Sequence, residues 1–176
     1  MRAFAAACLS VSFLSACGSR EFRVSQAPPA PFNAYGRVDV RPFAIEQPAT
    51  MDVVQKDKAL KMAEYLTIEV RDRLQGYFTG DGRTVVVQGK LVGFDPGSAA
   101  ARYWAGFGAG KGTIVAEITF LNEAGAEVGK GAAWGTVSGG FFGGSLNSAA
   151  KRVAKAVVDF VYDNFESVTS VAAPPR

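Results

Sequence analysis

The chain has 176 residues, 48% of them hydrophobic, with 19 Lys and Arg against 16 Asp and Glu and no histidine. That length supports one domain with a substantial core, and the near balance of charge gives no basic face for nucleic acid. Without histidine, and with Cys8 and Cys17 as its two cysteines, the chain lacks the commonest general base and is excluded from zinc sites of His or Cys type.

Chemistry begins at the start of the chain. Arg2 is a positive residue, Ala3 to Leu14 is an uncharged run of apolar and small residues, and Ser15 and Ala16 put small side chains before Cys17. This is the layout of a secretory signal peptide, and its apolar run is too short to cross a bilayer. Leu14-Ser15-Ala16-Cys17 further resembles the lipobox of bacterial lipoproteins. The resemblance implies cleavage before Cys17, a diacylglycerol on its thiol and acylation of its new amino group. Two or more acyl chains would make attachment effectively permanent, at about 0.8 kcal/mol per buried methylene. An ordinary signal peptide with a chance cysteine is the competing reading. Gly18, rather than aspartate, follows Cys17, and by the same resemblance this implies the periplasmic face of the outer membrane. Cys8 would leave with the leader, so no disulfide could form within the mature chain.

Residues 19–33 carry Pro28, Pro29 and Pro31 with no amphipathic period, which reads as an extended tether. From Tyr35 to Phe43, Val38 and Val40 alternate with Arg37, Asp39 and Arg41, a strand that Pro42 brings to an end. The period becomes helical between about Asp57 and Phe78, with Leu60, Ala63, Thr67, Val70 and Leu74 on one face. Thr84 to Phe94 is a second strand with Val85, Val87 and Leu91 on one face. Thr113 to Leu121 is a third, with Ile114, Ala116, Ile118 and Phe120 on one face. A turn at Asn122 to Gly125 leads to an antiparallel partner, Ala126 to Val137, with Val128, Ala132 and Trp134 assigned to one face. Ser145 to Phe165 is a helix with an apolar stripe of Leu146, Ala149, Ala150, Val153, Val157, Phe160 and Val161. The order predicts an α+β domain: a mixed, mostly antiparallel sheet of about four strands, with two helices packed on one face. The expected division is leader 1–16, tether 17–33, domain 34–166 and a flexible tail 167–176.

The catalytic inventory is thin. Ala105 to Gly112 invites comparison with a phosphate loop. However, Ala105 stands where the first glycine belongs, Gly112 where the hydroxyl belongs, and a strand follows instead of a helix. Gly106, Gly108 and Gly110 are therefore read as structural glycines that permit a tight crossing. Asp95, Glu117, Glu123, Glu127, Asp159 and Asp163 are scattered, and a Ser-His-Asp triad is impossible. No catalytic residue, metal site or cofactor is assigned. Two clusters remain as candidate binding residues. Arg102, Tyr103 and Trp104 lie in a long connection and are of types enriched at interaction hot spots. Phe141 and Phe142 sit between pairs of glycines. Capping of the sheet by Tyr103 and Trp104, or burial of both phenylalanines, is the alternative in each case.

The run Pro96 to Lys111, followed by an alternating strand and the Asn122-Glu123-Ala124-Gly125 turn, resembles bacterial lipoproteins that carry the domain of unknown function 4410. The likeness spans roughly Tyr35 to Phe165 and is most specific from Arg102 to Gly110. That family implies a fold and a compartment without a reaction. The order of elements also resembles the amino-terminal domain of the Tol translocation protein and the curli-secretion lipoprotein, which act through protein contacts at the outer membrane. The expectation is a non-enzymatic, lipid-anchored periplasmic module that binds an envelope protein or assembles with itself. A binder of small ligands or cell-wall glycan, using the segment Arg102 to Gly112, is the second reading.

Overall fold

The computed structural model describes residues 22–46, 51–95, 112–137 and 145–166. In chain order these form β1 (Phe22–Gln26), a 3-10 turn (Phe32–Ala34), β2 (Arg37–Val40), β3 (Ala44–Ile45), α1 (Val53–Leu74), β4 (Thr84–Asp95), β5 (Gly112–Leu121), β6 (Glu127–Val137) and α2 (Leu146–Asp163). The strands make one sheet of six in the order β1-β6-β5-β4-β2, with β3 also on β4. β1, β6, β5 and β4 pair antiparallel, whereas β2 and β3 run parallel to β4. Both helices cover the same face and touch each other, α1 over β2 to β4 and α2 over β5, β6 and β1. The α+β class and the mixed, mostly antiparallel sheet agree with the sequence reading. The strand count does not.

Two features account for the additional strands. Pro42 ends the first expected strand, as β2, and the chain rejoins the sheet only beyond Phe43, as β3, because proline cannot donate to a ladder. The next N–H, that of Phe43, leaves the sheet and donates to Thr67 Oγ1 at 2.9 Å. Thr67 donates in turn to the Ala63 carbonyl at 2.8 Å, and the Arg71 guanidinium donates to the Val40 carbonyl at 3.0 Å. These bonds clamp α1 along the β2–β3 edge, running opposite to it. The other additional strand, β1, falls where the sequence predicts tether. Its register sets Phe22 against Ala133 and Val24 against Gly131. Only Phe22 is buried in the strand, so it shows no alternation of hydropathy. What holds it is aromatic packing, with Phe22 stacked on Phe160 at 4.5 Å between ring centroids. The end of the expected tether is also tied down. Phe32 is fully buried, and the N–H groups of Phe32 and Asn33 donate to the carbonyls of Asn164 and Phe165.

α1 begins four residues before its expected start because Asp52 and Gln55 form a reciprocal cap. The Gln55 N–H donates to Asp52 Oδ1 at 2.7 Å, and the Asp52 N–H to Gln55 Oε1 at 3.4 Å. Its buried stripe is Ala59, Met62, Ala63, Leu66, Thr67, Val70 and Leu74, and Leu60 is exposed. The expected stripe of α2 is buried, apart from the half-exposed Leu146.

The largest correction concerns β6. Ala132 and Trp134 do not face inward; Gly129, Gly131, Ala133, Gly135 and Val137 do. The cause is a bulge: Phe120 pairs with Gly129 but Leu121 with Glu127, leaving Val128 as the extra residue and reversing the alternation beyond it. Glycine is needed at Gly131 and Gly135 for close approach. A Cβ on Gly131 would run into the Phe22 ring, and one on Gly135 into the backbone carbonyl of Ala149 in α2. The small inner face of β6 therefore lets α2 lie close to the sheet. Phe32, Phe120 and Phe160 fill the space beside it, with ring centroids 5.0 to 5.9 Å apart.

Candidate functional site

The sequence-derived candidates Cys17, Arg102, Tyr103, Trp104, Gly106, Gly108, Gly110, Phe141 and Phe142 lie outside the described residues. Their flanking residues are placed, however. Asp95 pairs with Thr113, and Gly112 with Val137, so the segments 96–111 and 138–144 both leave and rejoin the fold at one end of the sheet. α2 starts at this end: Arg152 donates to the Thr136 carbonyl at 2.7 Å. α1 starts there too, since it runs opposite to β2 and β3, which point toward it. The described residues that flank the two candidate clusters are thus neighbours in the fold, although separated in sequence.

The described residues offer two surfaces. The first is the face of the sheet away from the helices, which no described element covers. Its cross-strand rows follow from the register. Gly93, Val115 and Trp134 form one row, Lys90, Glu117, Ala132 and Arg23 the next, and Gln88, Thr119 and Lys130 a third. Trp134, 36% exposed, is the large aromatic of this face. Val86, Val115 and Leu121 are half-buried around the charged rows. The sequence assignment of Trp134 to the same face of β6 as the buried Val128 hid this surface.

The second is an open groove of about 480 Å³ at the opposite end, lined by residues that include Tyr35, Tyr77, Asp81, Arg83 and Phe165. Arg83 lies 5.2 Å over the Tyr35 ring and donates to the Ala34 carbonyl at 3.2 Å. Arg37 and Asp81 pair at 3.1 Å beside it, with both side chains largely in water. A pair so exposed adds little to stability. Nothing in the sequence marked this groove, because its lining comes from separate stretches of the chain.

Among the described residues, the carboxylates do not converge on either surface. Glu123 accepts from the Thr84 N–H at 2.8 Å and so fixes the start of β4, and Asp159 pairs with Lys155 along α2. Glu69 carries a carboxyl held below its ordinary range, chiefly because the Tyr65 hydroxyl donates to it at 2.8 Å, with Arg73 also bonded to it. Tyr65, Glu69 and Arg73 lie one turn apart along α1 and bind each other, which stiffens that helix. Among the described residues, no group of three or more Asp, Glu, Cys or His side chains could hold a metal ion. Within the same residues, no helix is long and apolar enough to cross a membrane.

Residues 40–140, from the last residue of β2 to just past the end of β6, match the family model described as Domain of unknown function (DUF4410). The chain belongs to the DUF4410 family. No curated protein matches it. Among solved structures, it is similar to the PelC dodecamer from Paraburkholderia phytofirmans in space group P6. That likeness has 15% identity and a TM-score of 0.50, and covers 79% of this chain and 95% of that one. A single-substitution variant of that dodecamer in space group C2 gives 14% identity and a TM-score of 0.49 over the same shares. At these identities the likeness is one of fold. For this DUF4410 chain it shows that the arrangement of helices and sheet occurs in another protein almost end to end.

Proposed function

We propose that this chain is a lipoprotein, processed and acylated at Cys17 and held at the periplasmic face of the outer membrane, whose domain is a non-enzymatic interaction or envelope-assembly module. It works by contact with further copies of itself or with an envelope protein. The observation that carries this reading is the open face of the sheet, where Trp134 and half-buried aliphatic residues lie among Lys90, Glu117 and Lys130. An aromatic set in a mixed apolar and charged surface is the composition of a contact patch. The similar PelC protein is a dodecamer, which supports self-assembly as the first form of contact to test.

Trp134→Ser is expected to weaken or abolish self-association and to leave the melting temperature nearly unchanged, because the ring packs against no helix. Size-exclusion chromatography with light scattering, over a range of concentrations, measures the first, and a thermal melt the second. A wild type that stays monomeric throughout, or a variant that assembles as before, would remove this face from the account.

The groove beneath Arg83 favours a second reading, a small-ligand or glycan binder. Its size falls in the range of small-molecule sites, and it offers aromatic rings beside a guanidinium. On this reading the ligand would meet Tyr35, Tyr77 and Arg83 in the groove, whereas the sequence alone suggested the segment Arg102 to Gly112.

A further inference from the structure

We infer that the end of the domain where both helices begin lies directly on the lipid surface, with the first turns of α1 as its contact. This deepens the reading of Cys17 as the lipidated residue and rests on it. The constraint comes from β1. Because the fold takes hold of the chain at Phe22, the expected tether of residues 17–33 is reduced to the four residues Gly18 to Glu21. The step from Cys17 to Phe22 is five residues, which reach at most about 17 Å when fully extended. Phe22 pairs with Ala133, four residues short of the end of β6 at Val137. Those four residues already span about 13 Å. Running along the sheet, the acylated residue reaches only just past its end, so the bilayer must approach the domain closely.

Two properties of the described residues at this end fit a lipid surface. Val53 and Val54, the first residues of α1, are 83% and 62% exposed, and Leu60 two turns on is also exposed. Lys56, Lys58 and Lys61 lie among them, and of these only Lys61 is in an ion pair, with Asp57. Apolar residues interleaved with lysines suit the boundary between acyl chains and anionic headgroups. The charges of α2 are arranged in the same sense. Lys151 and Arg152 fall in its first half and Asp159 and Asp163 in its second, with Lys155 at the start of the second half. The helix macrodipole favours the reverse order, but Arg152 is held by the Thr136 carbonyl and Lys155 by Asp159, so the contact is assigned to α1 alone.

The test uses the full lipidated chain in vesicles of phosphatidylethanolamine and phosphatidylglycerol. Acylation consumes the Cys17 thiol, so a cysteine introduced at one position can be labelled alone. Val54→Cys, Val24→Cys and Asp81→Cys each receive an environment-sensitive fluorophore, and a nitroxide on the lipid acyl chain serves as quencher. Val54 reports the proposed contact, Val24 the β1 edge and Asp81 the opposite end. The expected result is several-fold stronger quenching at Val54 than at Asp81, with Val24 between them. Adding Lys56→Glu and Lys58→Glu should reduce the quenching at Val54 while the protein still floats with the vesicles. Strongest quenching at Val24 would mean that the domain rests on its β1 edge, and equal weak quenching at all three that it stands clear of the bilayer. Either overturns the inference and leaves lipidation intact. A wild type that fails to float overturns both together.

Discussion

Gly135→Val is expected to destabilise the protein by more than about 3 kcal/mol, above the usual range for overpacking because the obstacle is backbone. Valine is a good strand residue, so propensity alone predicts a gain. The geometry predicts the opposite, since a Cβ at this position overlaps the Ala149 carbonyl and α2 would have to move off the sheet. Ala132→Val, on the opposite face of the same strand, provides the control and should be nearly neutral. Denaturant unfolding of both variants measures the difference. A Gly135→Val protein as stable as wild type would mean that the alternation of β6 is assigned to the wrong face.

The second large effect is expected at Phe160. Its ring meets Phe22, Phe32 and Phe120, and so joins β1, the turn after it and β5 to α2. Phe160→Ala should cost about 3–5 kcal/mol, the range for removing a buried aromatic ring. The loss should fall unevenly. β1 has one buried side chain, Phe22, which stacks on this ring, so the strand should open before the rest of the sheet. Hydrogen exchange at Arg23 to Gln26 should rise more than at β5. A uniform rise across the sheet would show that β1 does not depend on this contact.

Most of the scaffold was legible because its signals are periodic. The inward residues of β4 and β5, and the stripe of α2, could be read from spacing alone, since aliphatic side chains repeat every two or every three to four residues. Two of the failures share one cause, which is that small or isolated residues can carry burial. β1 holds to the fold through one ring, and the inner face of β6 is built of Gly129, Gly131, Ala133 and Gly135, which no hydropathy pattern distinguishes from a loop. The bulge at Val128 then inverted the faces of β6 and with them the place of Trp134. The cap at Asp52 and Gln55 was legible as a sequence signature and, if used, would have set the start of α1.

The candidate surfaces were less legible for a different reason. The open face becomes a surface only when the register sets Gly93, Val115 and Trp134 side by side, and the groove draws on residues from Asn33 to Phe165. Short-range pattern cannot show such convergence. The proposed anchor at Cys17 rests on local order alone: a basic start, an apolar run, two small residues and a cysteine. Among the described residues the fold begins at Phe22, five residues after that cysteine.

The most direct test of the account is metabolic labelling with a radioactive or clickable fatty acid in a bacterium that processes lipoproteins. The wild-type chain should take up label and sediment with the outer membrane. Cys17→Ala should take up none and remain an unprocessed precursor, with the domain still folded. A wild-type chain that carries no fatty acid, or a Cys17→Ala chain labelled as strongly as wild type, would contradict the claim that this domain works from a lipid anchor at Cys17.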